Sequence, residues 1–140
     1  MEPLEEQQAL ALASRLASRK LVAAYASPLR AAVRTAELVL SKQDTHSPAL
    51  SLREREPAPA MLAPIRQNHA DGDILIVSDP TVLRLLLAHF LEMGPERISS
   101  LEVDPCALSI VDDYEVPLIM AINDCCHLEG VRSGLSAQVR

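Results

Sequence analysis

Few positions in this 140-residue sequence combine reactive side chains with a spacing that chemistry can use. Asp79 follows the apolar run Ile74-Leu75-Ile76-Val77-Ser78 and precedes Pro80, which puts a carboxylate where a buried strand meets the first turn of a helix. There it is suited to accept from the first amides of that helix, a capping role that requires no ligand. Arg30 and Arg34 stand four residues apart on one face of a helical stretch. With Arg84 they are the candidate ligands for a phosphorylated small molecule or another anion. Salt bridges to surface carboxylates such as Glu37 are the competing use of the same arginines. Glu54 lies between Arg53 and Arg55 with Glu56 beyond, a charge run whose simplest reading is a solvated face. Cys125, Cys126 and His127 are consecutive, but neighbours in an extended chain point to opposite sides, so no metal site is expected there. With Cys106 the cysteines form neither a paired disulfide framework nor a spaced zinc motif, and they read as reduced thiols. No cofactor is expected.

The elements that position these residues follow from the hydrophobic pattern. Leu4, Gln8, Leu12 and Leu16 recur at helical spacing with Ala9 and Ala13 beside them, which predicts an amphipathic helix from residue 3 to about 20. Residues 21–27 are a short apolar run ending at Pro28, a buried strand feeding a helix that runs to about residue 40. Leu29, Val33, Ala36 and Leu40 are the expected apolar face of that helix. Residues 41–72 hold Pro48, Pro57, Pro59 and Pro64 among polar side chains, which predicts a connection with one short helix near 59–68. Residues 73–78 read as a buried parallel strand, and 81–93 as a helix stopped by Gly94-Pro95. Residues 101–103, 107–111 and 116–122 read as strands, the last two joined through Asp112-Asp113 as a hairpin, and 129–140 as a loose tail.

Composition narrows the class. Hydrophobic residues make up 49% of the chain but aromatic ones only 2%, so the core must be built from Leu, Ile, Val and Ala. That favours helices packed on a sheet. The length suits one domain over 1–140, able to bury a core without disulfides or a structural metal. A net charge of -6 and a pI near 5.1 work against nucleic acid and anionic membrane as partners, because both require a positive surface. The acidic opening Met1-Glu2-Pro3-Leu4-Glu5-Glu6 has no apolar signal core, and no apolar run reaches the length of a membrane span. A cytoplasmic location is the expectation.

Several stretches fit a known pattern in the same order. Pro3-Leu4-Glu5-Glu6-Gln7-Gln8-Ala9 is similar to P-L-G-x-x-Q-A, and Tyr25-Ala26-Ser27-Pro28-Leu29 with Thr35-Ala36 is similar to S-P-L-x-R-A-x-x-T-A. Residues 74–79 with Val82, Leu83, Arg84 and Ala88 are similar to a strand ending V-S-H-G and the helix G-V-I-R-x-L-L-A. Asn123-Asp124 with His127-Leu128 matches N-D-x-x-H-L. In these segments the chain resembles the histidine phosphatase superfamily, whose members are phosphoglycerate mutase-like. The resemblance implies a three-layer α/β/α fold with a mostly parallel sheet.

It also implies what the chemistry would need. The superfamily's nucleophilic histidine lies in an R-H-G motif at the end of its first strand, and this sequence starts where the superfamily's first helix starts, so that strand has no counterpart here. None of His46, His69, His89 or His127 has such a context. The V-S-H-G histidine aligns with Asp79, followed by Pro80, and a carboxylate repels phosphate. The arginine of S-P-L-x-R aligns with Ala31, with Arg30 one position early, about 100° around a helix. Leu52-Arg53-Glu54-Arg55 resembles an L-x-E-R segment whose glutamate donates and accepts a proton, so Glu54 is its counterpart. Groups that act as a unit lose most of the rate together. The expectation is a catalytically degenerate binding or interaction module, with a phosphatase rebuilt on Glu54 and Asp79 or an anion-binding protein as alternatives. A separate likeness, of Asp79-Pro80-Thr81-Val82 to the D-x-T-[VL] opening of haloacid dehalogenase-type phosphotransferases, lacks a later lysine: Lys20 and Lys42 both precede it. Without the first strand, sheet backbone groups want partners, and a homodimer is the plainest way to supply them.

Overall fold

Small side chains set the centre of the molecule. In the strand Leu21–Ala26 (β1), the residues Ala23, Ala24 and Ala26 are buried, and such small side chains let helices close over both faces of a sheet. The computed structural model describes residues 2–44 and 48–131. Pro3–Leu16 (α1) precedes β1, and Arg30–Leu40 (α2), Leu50–Ser51 (β2), Ala58–Asn68 (α3), Asp73–Val77 (β3) and Pro80–Leu91 (α4) follow it. Leu108–Asp112 (β4) and Leu118–Asp124 (β5) complete the elements, with short 3-10 turns at Pro95–Ser100 and Cys126–Leu128. β1 pairs parallel with β2 on one side and β3 on the other, in register Ala24↔Leu75 and Ala26↔Val77.

Alternation along the strands sorts the core into two layers. Leu75 and Val77 of β3 face Leu12, Leu16 and Val39 of α1 and α2, whereas Ile74 and Ile76 face Met61, Leu62, Val82 and Leu86 of α3 and α4. Helices therefore cover both faces, giving the expected α/β/α layering. Leu21 and Ala24 share one face although an odd spacing separates them, because the register slips between Leu21 and Ala23 and the bulge at Val22 resets the alternation. The turn into β3 fits around that bulge. Gly72 has φ +100°, and a Cβ there would sit 2.5 Å from Val22 Cγ1, so the position admits only glycine without rearrangement. Gln43 is buried and ties three elements together: its Oε1 accepts from Leu21 N at 3.1 Å and its Nε2 donates to the Leu16 carbonyl at 3.0 Å.

Some expectations are corrected. α1 ends at Leu16, and Leu4 in its first turn is exposed, because only Ala9, Leu12, Ala13 and Leu16 reach the sheet. Leu29 is exposed, since its extended backbone caps α2 and the helical face begins after it. Residues 101–103 form no strand. The 3-10 turn before them delivers the Leu101 carbonyl to Arg84 Nε at 2.7 Å, and Val103 is buried in a loop. The tail expected over 129–140 is described only to residue 131.

β4 and β5 pair antiparallel with each other and not with the parallel sheet, whose order is β2-β1-β3. The hairpin expected there is present. A cavity of about 1110 Å³ lies between β3 and β4. Among the described residues, no helix is long and apolar enough to cross a membrane.

Candidate functional site

Parallel strands gather three chain segments where β1, β2 and β3 end. Ser27 N donates to the Val77 carbonyl at 2.9 Å and Leu52 N to the Ala26 carbonyl at 2.9 Å, so 27–30, 52–55 and 78–79 leave the sheet side by side. Open α/β sheets present their ligands at this edge. Ser27 is fully buried and its Oγ accepts from Leu29 N at 3.3 Å. Ser78 Oγ donates to Glu54 Oε2 at 3.1 Å, which holds Glu54 at the end of β3. Asp79 Oδ1 accepts from Val82 N at 2.9 Å and caps α4. Ser78 thus holds Glu54 to the segment that also carries Asp79.

The three arginines are less convergent. Arg30 is the exposed first residue of α2, on the segment that follows β1. Arg34, one turn later, pairs with Glu6 at 3.4 Å and Glu37 at 3.8 Å on the surface. Arg84 points its Nε at the Leu101 carbonyl.

A second polar cluster, two of whose members, Asp124 and His127, fall in the N-D-x-x-H-L stretch, lies at the opposite edge. Arg15 in the last turn of α1 donates to Asp124 Oδ2 at 2.7 Å and meets His127 Nδ1 at 2.9 Å, while His127 Nε2 meets the Cys106 carbonyl at 2.7 Å. A guanidinium only donates and a carbonyl only accepts, so His127 is neutral with its proton on Nε2. Burial pushes the His127 pKa down, and the Arg15 charge acts in the same sense. The Arg15 hydrogen bond, helped by the Cys126 amide, lowers Asp124 to about 2. Each ring nitrogen of His127 is engaged, which makes the cluster a latch between α1 and the β4–β5 hairpin. The sequence offers no signal for the pairing with Arg15, which lies more than a hundred positions from its partners.

His69 and His89 also belong to this edge. His69 Nε2 bonds Tyr25 Oη at 2.7 Å just ahead of β3, and His89 stacks edge-on with Phe90 near the end of α4, the helix that runs back from the end of β3. His46 lies outside the described residues. Cys106, Cys125 and Cys126 form no disulfide, and no group of three or more His, Cys, Asp or Glu among the described residues is placed to hold a metal ion.

The sequence pattern of the histidine phosphatase superfamily (branch 1) matches residues 1–57 and 51–116. Among solved structures, phosphoserine phosphatase from Entamoeba histolytica in complex with 3-phosphoglyceric acid superposes with a TM-score of 0.77 at 15% identity, covering 91% of this chain and 86% of that one. Bacillus stearothermophilus YhfR gives 0.77 at 18% identity over 92% and 87% of the two chains. The alpha-ribazole phosphatase from Shigella flexneri gives 0.73 at 21% identity over 84% and 81%. At these identities the likeness is one of fold. No curated protein matches the sequence.

Proposed function

This chain belongs to the histidine phosphatase superfamily, and we propose that it serves there as a binding and interaction module whose strand-end site does not transfer phosphoryl groups. One observation carries the reading: the N-terminus of α4, which the helix dipole makes a natural seat for an anion, is filled by the carboxylate of Asp79. Glu54, held by Ser78, adds a second negative charge beside it. A phosphate approaching this edge meets two carboxylates. The described histidines His69, His89 and His127 lie toward the other edge, with no route to a covalent phosphohistidine. Ala31 offers no cation where the superfamily's motif places an arginine.

The test is hydrolysis of p-nitrophenyl phosphate and a panel of phosphorylated metabolites, with and without magnesium, by the wild type and a Glu54→Ala variant. No turnover above the buffer blank is expected from either. Magnesium-independent turnover that disappears in the variant would overturn the reading.

A second reading, a phosphatase rebuilt on Glu54 and Asp79, is favoured by the Ser78–Glu54 hydrogen bond, which brings a candidate proton donor to the end of β3. The solved structures similar in fold include enzymes that act on phosphoserine and alpha-ribazole phosphate, which makes small phosphomonoesters the substrates for that panel.

A further inference from the structure

His127 fastens the 3-10 turn Cys126–Leu128 to α1 through a ring that uses one acceptor and one donor. Nδ1 accepts from Arg15 at 2.9 Å and Nε2 donates to the Cys106 carbonyl at 2.7 Å. The same turn packs against α1, and its Leu128 is only 1% exposed, so polar contact and apolar burial close one joint. A guanidinium has no lone pair to offer, which means that Arg15 tolerates only an unprotonated nitrogen opposite it. A proton added to Nδ1 leaves N–H facing N–H and sets two cations within hydrogen-bond distance. The joint is compatible with one protonation state of one residue.

Groups on every element around the ring set the direction of that conflict. α1 supplies Arg15 and, nearer its start, Glu5, which bears on the Cys106 thiol. β5 supplies Asp124, lowered to about 2 chiefly by the Arg15 hydrogen bond and so charged wherever imidazole titrates. Both its oxygens are engaged, Oδ2 by Arg15 and Oδ1 by the Cys126 amide. The turn adds Cys126, which acts with Asp124 on the Arg15 guanidinium. The loop before β4 supplies Asp104, which bonds Asn123 and Cys125, and the Cys106 thiol, pushed up to about 11 by burial and therefore neutral. Burial and the Arg15 charge outweigh the Cys106 carbonyl and Asp124, and hold His127 below the ordinary imidazole value.

We propose that His127 is a pH-sensitive switch on this joint: protonation of Nδ1 ejects the Arg15 contact and frees the turn Cys126–Leu128 from α1. In the released state the ring returns to water and titrates near its ordinary pKa of about 6.5, so the shut state is favoured fully above that pH and is depleted below it. Asp124 adds nothing in this range, because it is ionised in both states above about pH 5. Release uncovers the buried side chain of Leu128 and the half-buried Cys125. The switch is separate from the strand-end chemistry and does not depend on how that site is read.

Hydrogen exchange of the full chain, corrected for the intrinsic pH dependence of amides, reads the switch at residues 12–16 and 126–131. Protection there is expected to fall at least about threefold between pH 7.5 and pH 5 in the wild type. His127→Gln keeps one acceptor and one donor but takes no proton, and its protection is expected to stay level. Arg15→Gln removes the cation that opposes protonation, and a fall less than half as steep is expected. Nitrogen NMR of the wild-type ring is expected to show Nδ1 bare and Nε2 protonated at pH 7.5, with a titration midpoint below 6.5. The proposal fails if wild-type protection stays level, if either variant falls as steeply as the wild type, or if the loss spreads evenly over β1 and β3. If a variant does not fold, the wild-type ring decides alone: a proton on Nδ1 at pH 7.5, or a midpoint at or above 6.5, overturns the switch.

Discussion

Where β1 and β3 begin, Arg15 reaches Asp124, Arg19 reaches Asp73, Arg66 reaches Asp113, and Gln43 bonds the main chain of both α1 and β1. Where the same strands end, Ser27 bonds Leu29 and Asp79 bonds Val82, each within a few residues. Ser78–Glu54 joins two separate segments there. The first edge uses its polar groups to hold distant parts of the chain, and the second uses them to shape loops and helix starts. Cross-chain bonds at one edge leave the other open to vary in chemistry without loss of fold.

The sharpest way to break this comparison is Gln43→Leu. The substitution keeps apolar volume but strands the Leu21 amide and the Leu16 carbonyl in the core, an expected loss of about 3 kcal/mol from two orphaned groups. Urea unfolding reads it as a lower midpoint at unchanged slope. A loss no larger than that of the cap substitution below would remove the distinction between the edges. Next in size is Asp79→Ala, which deletes the α4 cap and is expected to cost about 1 kcal/mol in thermal melts, while Asp79→Asn keeps the acceptor and costs a few tenths. Equal losses in both variants would mean that the charge, and not the cap, matters at this edge.

The smallest expected effect sharpens the picture with acid. Asp124 has its pKa lowered in the folded chain to about 2, against an ordinary value near 3.9, so its contribution is fully present above pH ~4 and is lost as the pH falls toward 2. His127, also lowered, contributes in the same direction: its share is full above its ordinary pKa near 6.5 and declines below it. Because the Arg15–Asp124 pair is partly exposed, Asp124→Asn is expected to cost less than about 1 kcal/mol near neutrality. Its stability should also vary less than that of the wild type between pH 4 and pH 2. A parallel decline in both proteins would assign the acid sensitivity to other carboxylates.

Much of the layering was readable in the residues because it is local. Leu12 and Leu16 at helical spacing, the apolar run at 73–77, Pro80 at a helix start and Gly94-Pro95 after its end mark their elements within a few positions. The extended appearance of 101–103 misled because an apolar alternation does not say whether an open strand edge lies nearby, and here the Leu101 carbonyl goes to Arg84. β2 is two residues long and too short to carry a pattern. At the site, Glu54 and Asp79 stand in short motifs, but that Ser78 reaches Glu54 depends on how β2 and β3 flank β1. The Arg15–His127 latch joins chain ends and leaves no local trace.

Cys106 takes a left-handed backbone with φ 57° and lines the cavity, and burial, with Glu5 nearby, pushes its thiol up to about 11. Near neutral pH the Cys106 thiol is therefore held in its protonated, unreactive form, whereas Cys126 is exposed just past the end of β5. A thiol-directed dye therefore attaches outside the cavity and spares the sulfur within it, so the wild-type chain carries its own handle for fluorescence work on the interior.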